Sequence, residues 1–168
     1  MQIINGTPAD IGIIFSLYDA GTLLQKKVAQ KHWLGFDRAL IEKEIQEKRL
    51  WKIVAGNQIV CVFSIAFEDP YIWQEKDKDP SIYIHRIATH PDFRGNGYVK
   101  KIVEWARTYA AGNGKEFIRM DTGSGNDRLN SYYVSCGFTY LGIVATEDTP
   151  ELPAHYKGGT SSLFEIAL

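Results

Sequence analysis

The passage from a strand through a glycine turn into a helix restricts the fold of this chain more than any other feature. In HPDFRGNGYVKKIVEWA, residues 90–106, an arginine and two glycines stand directly before a run in which Val99, Ile102, Val103, Ala106 and, just beyond, Ala110 recur at helical spacing. Glycine opens a helix poorly unless the backbone must lie bare to something that approaches it. Upstream, SIYIHRIATH has the composition of a strand and stops at Pro91. Downstream, the helix stops at Gly112-Asn113-Gly114, and EFIRMDT reads as another strand. A strand, a tight turn, a helix and a further strand in succession belong to an α/β architecture.

The flanking segments extend the pattern. After a first short strand, QIIN, the segment Thr7-Pro8-Ala9-Asp10 has the form of a helix cap with proline at the first helical position, and Ile11, Ile14, Phe15 and Tyr18 mark one face of the helix. Beyond KHWLGF, a second amphipathic helix runs from Asp37 through LIEKEIQEKRL, with Leu40, Ile41, Ile45 and Leu50 set among charges. WKIVAGNQIVCVFSIAF is a hairpin turning at Gly56-Asn57, and Pro70 and Pro80 bracket a polar loop, YIWQEKDKD. A last helix begins near Asn126 and closes at Gly137, carrying Leu129, Tyr132 or Tyr133, and Cys136; FTYLGIVA and SSLFEIAL are two final strands. With no repeat or linker, residues 1–168 are expected to form a single α/β domain.

Composition narrows the function. A chain of 168 residues, 45% hydrophobic and 23% charged, buries a core without help from metal or disulfides. Its formal net charge of -1 lacks the basic excess with which a protein neutralises nucleic-acid phosphates. No apolar run approaches membrane-spanning length and MQIINGTPADIGIIF lacks a signal pattern, so a soluble cytoplasmic protein is expected, with no nucleic acid, membrane or metal partner. Cys61 and Cys136 have no neighbour at metal-ligand spacing and read as reduced and buried.

The glycine turn has several readings. A phosphate-binding P-loop needs two glycines separated by four residues and then Lys-Ser/Thr, and the dinucleotide fingerprint needs a third glycine; neither pattern is present. A plain tight turn explains the glycines. An anion site at the helix N-terminus explains in addition the cations Arg94 and Lys100 around bare Gly95 and Gly97.

These residues resemble the signature of the GNAT superfamily, the acyl-CoA-dependent N-acetyltransferases. IHRIATHPDFRGNGYVKKIVEWA looks like its strand followed by Arg/Gln-x-x-Gly-x-Gly/Ala and a helix, and NDRLNSYYVSCGF is similar to its Asn-x-x-Ala-x-x-x-Tyr-x-x-x-Gly-Phe. Val99 stands where glycine or alanine is usual, and Leu129 where alanine is common. The resemblance implies a mixed central sheet of about six to seven strands with splayed middle strands, flanked by about four helices. It implies acetyl-CoA as co-substrate, with pantetheine lying along Ile87, Ala88 and Thr89 and pyrophosphate on the N–H groups of Gly95, Asn96, Gly97, Tyr98 and Val99, beside Arg94 and Lys100. It also implies polarisation of the thioester carbonyl by the strand's backbone, where one donor is worth about 3 kcal/mol. Asn126 matches the family asparagine that contacts the cofactor; it is equally placed to cap a helix.

Acetyl transfer to an amine needs further groups. An alkylamine with pKa near 10.4 is neutral in only about one molecule in a few thousand at pH 7, so a base is useful. His85 is a candidate, since strict alternation along the strand puts it on one face with Ile87 and Thr89; an ordinary half-buried strand histidine is the other reading. Glu68, at a neighbouring strand end, is the reserve base or a solvated carboxylate. Tyr133 matches the family tyrosine and is placed to protonate the departing thiolate, or is an aromatic core residue, with Tyr132 one position away. Trp33, Phe36, Tyr71 and Trp73 flank the acceptor side of the family, as pocket walls or as core lids. Glu147, Asp148 and Glu151 attract a cationic substrate or form a solvated loop. The leading expectation is an enzyme acetylating a primary amine of a small molecule or peptide, with a homodimer left open; the alternative is a non-catalytic acyl-CoA sensor.

Overall fold

The computed structural model describes every residue except Gln30, Glu147, Pro153 and Lys157. Strands β1 (Gln2–Asn5), β2 (Leu50–Ala55), β3 (Gln58–Ala66), β4 (Ser81–Thr89), β5 (Phe117–Gly123), β6 (Thr139–Ala145) and β7 (Thr160–Ala167) form one mixed sheet in the order β1-β2-β3-β4-β5-β7-β6. All neighbours run antiparallel except β4 and β5, which are parallel.

Helices cover both faces because each carries one apolar stripe. On one face, α1 (Ile11–Val28) and α2 (Arg38–Gln46) pack Ile11, Ile14, Leu17, Tyr18 and Ile41 against Leu50, Val62 and Ala88. Leu17 takes the buried place expected of Phe15, which is only half-buried. On the other face, α4 (Tyr98–Gly112) and α5 (Asp127–Ser135) pack Ile102, Val103, Ala106 and Tyr133 against Phe63, Ile82, Ile118 and Phe164. Each such buried aliphatic side chain contributes about 1.5–3 kcal/mol, which outweighs the small propensities that distinguish one helix former from another. No described helix is long and apolar enough to cross a membrane.

Two segments depart from the sequence reading. Leu50 opens β2 instead of closing α2, because the helix ends at Gln46 and Lys48, at φ +57, turns the chain first. The stretch expected as a loop between Pro70 and Pro80 is helical: α3 (Pro70–Trp73) leads into a 3-10 segment, Gln74–Lys78. Proline presets the first φ, and Ile72 and Trp73 are buried against Tyr83 and Leu163.

The sheet comes apart in the middle. β4 and β5 pair only over residues 81–83 and 117–119, and past that point the strands diverge. The closed end is fastened by buried Arg119, which donates to Asp79 Oδ2 at 2.7 Å, Glu165 Oε2 at 2.8 Å and Lys76 O at 2.6 Å. On its other side β4 carries a bulge: Arg86 lies at φ +51, and the register against β3 jumps from His85↔Ser64 to Ala88↔Val62.

Candidate active site

A cleft of about 1000 Å³ opens where β4 and β5 diverge. It gathers Ile87, Ala88 and Thr89 from β4, residues 94–100 from the turn and α4, and Asn126, Tyr132 and Tyr133 from the start and body of α5. Gly95 and Gly97 sit at φ +83 and +69, and a Cβ on either would meet nothing within 4 Å. Both glycines are therefore required by the left-handed turn, a backbone region that side chains disfavour, and not by crowding. The amides of Tyr98 and Val99 belong to the first turn of α4, where no intrahelical carbonyl is available, and the helix dipole makes that end positive. Lys100 is exposed on the same turn, while Arg94 Nη2 donates to Ala20 O at 3.2 Å, tethering its guanidinium to α1. Val99, the residue that departs from the GNAT motif, is packed into the core between α4 and the sheet. Asn126 caps α5, its Oδ1 accepting the Leu129 N–H at 3.1 Å, and also lines the cleft.

A second cavity of about 150 Å³ adjoins the first. Phe36, Leu40, Ile72 and Asp69 line it, and His85, Arg86, His155 and Tyr156 line both spaces. His85 reaches this shared wall against the strict alternation expected of a strand. It pairs with Ser64 on the α1/α2 face, whereas Ile87 packs toward α4 and Thr89 bonds to Cys61 there; the bulge at Arg86 reverses the phase between them. Arg86 itself pairs with Glu44, bonds Ser64 Oγ at 2.8 Å and lies 5.1 Å from the Phe36 ring centre.

His85 sits between two carboxylates. Its Nε2 is 3.6 Å from Asp69 Oδ2 and its Nδ1 is 3.9 Å from Asp121 Oδ1, both longer than a hydrogen bond. Among the described residues, Asp69 Oδ2 and both oxygens of Asp121 have no hydrogen-bond partner, although the side chains are only 10% and 1% exposed. The Tyr156 phenol stands beside Asp121, close enough to act on its charge without completing a bond of good geometry. Burial pushes Asp69 up to about 8, with Asp121 and Asp77 adding repulsion, and burial pushes Asp121 up to about 7. Burial, then Arg86 and Arg49, push His85 down to about 3.

Tyr133 is 9% exposed and packs against Phe138 and Phe164, while Tyr132 is 40% exposed. Burial raises the Tyr133 phenol well above its usual range, keeping it a proton donor. Trp33 lines the large cleft and Phe36 the small cavity. Glu68 is exposed and lines neither; the carboxylate facing His85 belongs to its neighbour Asp69. Trp73 is core, stacked at 4.7 Å from Arg119, and Tyr71 lines neither cavity. Of the acidic loop residues, Asp148 and Glu151 are exposed and line neither cavity, and Glu147 lies outside the described residues. Cys61 and Cys136 are free and buried, and burial pushes the Cys61 thiol up to about 11, which makes it inert. The sequence reading missed Asp69, Asp121, Arg86 and Tyr156. One signal was present for Asp121, an acidic residue within the strand FIRMDT, where aspartate is disfavoured.

The model of the acetyltransferase (GNAT) family matches residues 23–138. The uncharacterized N-acetyltransferase YesJ of Bacillus subtilis (strain 168) is 32% identical over 78 residues, a stretch covering 46% of this chain and 43% of YesJ, less than half the length of that relative. A GNAT-family acetyltransferase from Listeria monocytogenes 4b F2365 superposes with a TM-score of 0.75 at 24% identity, over 99% of this chain and 94% of that one. YncA from Salmonella typhimurium, solved with its cofactor acetyl-CoA, superposes with a TM-score of 0.70 at 15% identity, over 100% and 94%. At these identities the solved structures attest the fold.

Proposed function

Because the chain belongs to the acetyltransferase (GNAT) family, we propose that it moves an acetyl group from acetyl-CoA directly to a primary amine of a small molecule or peptide, in a ternary complex, with residues 1–168 serving as one catalytic domain. The observation that carries this reading is the cleft: one gap in the sheet has the N-terminus of α4, an unpaired strand edge and a buried phenol, and shares a wall with a second cavity. The acetyl-CoA bound by the fold-mate YncA is carried over to this chain on that fit.

The amides of residues 95–99, with Lys100, would hold the pyrophosphate, and the edge of β4 at Ile87, Ala88 and Thr89 would take the pantetheine arm as an added strand. Once bound, acetyl-CoA supplies a thioester carbon open to attack by an amine. Backbone N–H groups of β4 that have no partner across the gap would polarise the carbonyl oxygen. Tyr133 would protonate the sulfur as it departs, and the small cavity walled by Phe36 would hold the acceptor. Direct transfer requires no enzyme nucleophile, in keeping with the two buried cysteines, and their free thiols favour the reducing cytoplasm.

Thermal melting tests the first half of the proposal: at about a hundred times Kd, acetyl-CoA should stabilise the protein by roughly 2.7 kcal/mol. No shift at millimolar acetyl-CoA would overturn it. Thiol release across a panel of primary amines tests the second half; stabilisation without release for any amine would make the protein an acyl-CoA sensor instead.

A further inference from the structure

The wall between the two cavities contains three ionisable side chains whose environments conflict. Asp121 comes from β5, Asp69 from the loop after β3, and His85 from β4; one ligating atom from each lies within 4.8 Å of the others. Asp121 is 99% removed from solvent with neither oxygen bonded, and Asp69 is 90% removed with Oδ2 unbonded. Their charged neighbours do little to neutralise them. The nearby cations are engaged elsewhere: Arg86 pairs with Glu44 of α2, and Arg49 pairs with Glu47 at 2.6 Å and bonds Ile65 O at 3.2 Å. Asp77 accepts the Asp69 N–H at 2.7 Å and adds negative charge, and Tyr156 contributes a neutral phenol. Among the described residues, His85 is the sole basic group within ion-pair distance of either carboxylate. A buried pair of carboxylates without a full countercharge cannot ionise as free carboxylates do, so it retains protons to higher pH.

We infer that Asp69 and Asp121, with His85 between them, form the seat of the acceptor's ammonium group and are the base that deprotonates it, in the transfer reaction proposed above, on which this inference rests. A primary ammonium supplies the countercharge and the donors that the unbonded oxygens lack. The adjoining cavity has apolar walls in Phe36, Leu40 and Ile72, and about 150 Å³ is room for a group the size of benzene. The acceptor is therefore a primary alkylammonium on a compact apolar stem. Burial raises both carboxylates toward neutrality and holds His85 neutral, so the carboxylates are tuned to exchange a proton at working pH, and the imidazole, 3.6 and 3.9 Å from them, is a spacer between the two.

Protons and electrons balance. One ammonium proton passes to the ionised carboxylate, and the electron pair it leaves on nitrogen forms the C–N bond to the acetyl carbon. The C–S bond breaks with its electron pair on sulfur, and sulfur takes the Tyr133 proton. The second proton lost from nitrogen restores Tyr133, and the proton on the carboxylate leaves to solvent through the small cavity.

The test compares two kinds of acceptor in wild type, Asp121→Asn and Asp69→Asn, by thiol release with acetyl-CoA. Butylamine and benzylamine are cationic at pH 7 and need a base; methoxyamine is already neutral and does not. The variants should lose about 100-fold or more in kcat/KM for the alkylamines, change methoxyamine turnover by no more than several-fold, and keep the wild-type melting shift with acetyl-CoA. An equal loss for both kinds of amine would make the carboxylates merely structural, and no loss would place the base elsewhere; either overturns the inference. So would manganese(II) chloride raising the melting temperature of wild type but not of Asp121→Asn, which would mark a metal centre. Wild type that is stabilised by acetyl-CoA and acetylates other primary amines but none of these would overturn the compact alkylammonium acceptor, whereas no thiol release with any primary amine would overturn the transferase reading itself.

Discussion

Tyr133 and Asp121 share one cleft, and burial acts on both by disfavouring the charged form. For Tyr133 the outcome is a phenol that stays protonated far above neutrality, available to a departing thiolate. Tyr133→Phe should lower kcat by about 100-fold and leave the acetyl-CoA melting shift in place, because the ring still packs against Phe138 and Phe164; a variant that turned over normally would remove Tyr133 from the reaction. For Asp121 the outcome concerns stability. The folded chain holds this proton up to about 7, whereas the unfolded chain releases it near 3.8. Between those values folding takes up a proton, so the stability that the protonated form provides is fully present below about 3.8, is lost as pH rises to about 7, and levels off above that. Asn does not titrate. Melting of Asp121→Asn against wild type from pH 5 to pH 8 should therefore show the variant gaining on wild type as pH rises, and a constant difference would mean that the carboxylate ionises freely. Tyr133 was legible because its spacing from Asn126 and Gly137 lies within one short motif. Asp69, Asp121 and Tyr156 were not, because three remote segments bring them together and no local pattern records it.

The turn before α4 shows how an element can be read correctly for an incomplete reason. Gly95 and Gly97 invited the question of what approaches them, yet a Cβ at either position would have open space, and it is φ, +83 and +69, that excludes other residues. Gly97→Ala should cost about 1–2 kcal/mol from left-handed strain. Gly97→Asn should cost less than Gly97→Ala, because asparagine tolerates that region. Melting of the two variants without ligand decides this: equal losses would show that the side chain is meeting an obstacle. Elements with a strong period, such as α4, and the hairpin at Gly56-Asn57 lie where the sequence pattern put them. The face of His85 did not follow its pattern, because alternation assumes an unbroken strand and Arg86 takes φ +51 within it. Nothing in the residue type of Arg86 announces a left-handed conformation; its pairing with Glu44 and Ser64 holds it there. The helical turn of α3 was hidden for a related reason, since Trp73 is fixed by Arg119 and Tyr83 from distant strands.

Across the molecule, the sheet divides into two panels, β1 to β4 and β5 to β7; within the sheet they meet at the short parallel ladder of residues 81–83 and 117–119 and at the Arg119 contacts to Tyr83 and Asp79 beside it, and α4 packs across both. β4 is bonded to β3 along one edge and β5 to β7 along one edge, so within the gap each strand shows water a row of backbone groups. Such an edge is a template for an extended partner. A pantetheine arm laid along residues 87–89 would bond part of the β4 row and restrain the two panels about their short hinge, without adding a contact to the closed end. Hydrogen exchange distinguishes this from general tightening. In the absence of ligand, the amides of residues 84–89 that point away from β3 should exchange fast, while those of the ladder around Ile82 and Ile118 should be protected. Acetyl-CoA should slow the first set by at least about 100-fold when present at about a hundred times Kd, and slow the amides at the N-terminus of α4 with it. The ladder should change far less, because it is already held by Arg119. Uniform slowing over both panels would mean that the ligand stabilises the whole fold without occupying the gap, and protection confined to the α4 amides would mean that only the phosphates are seated there.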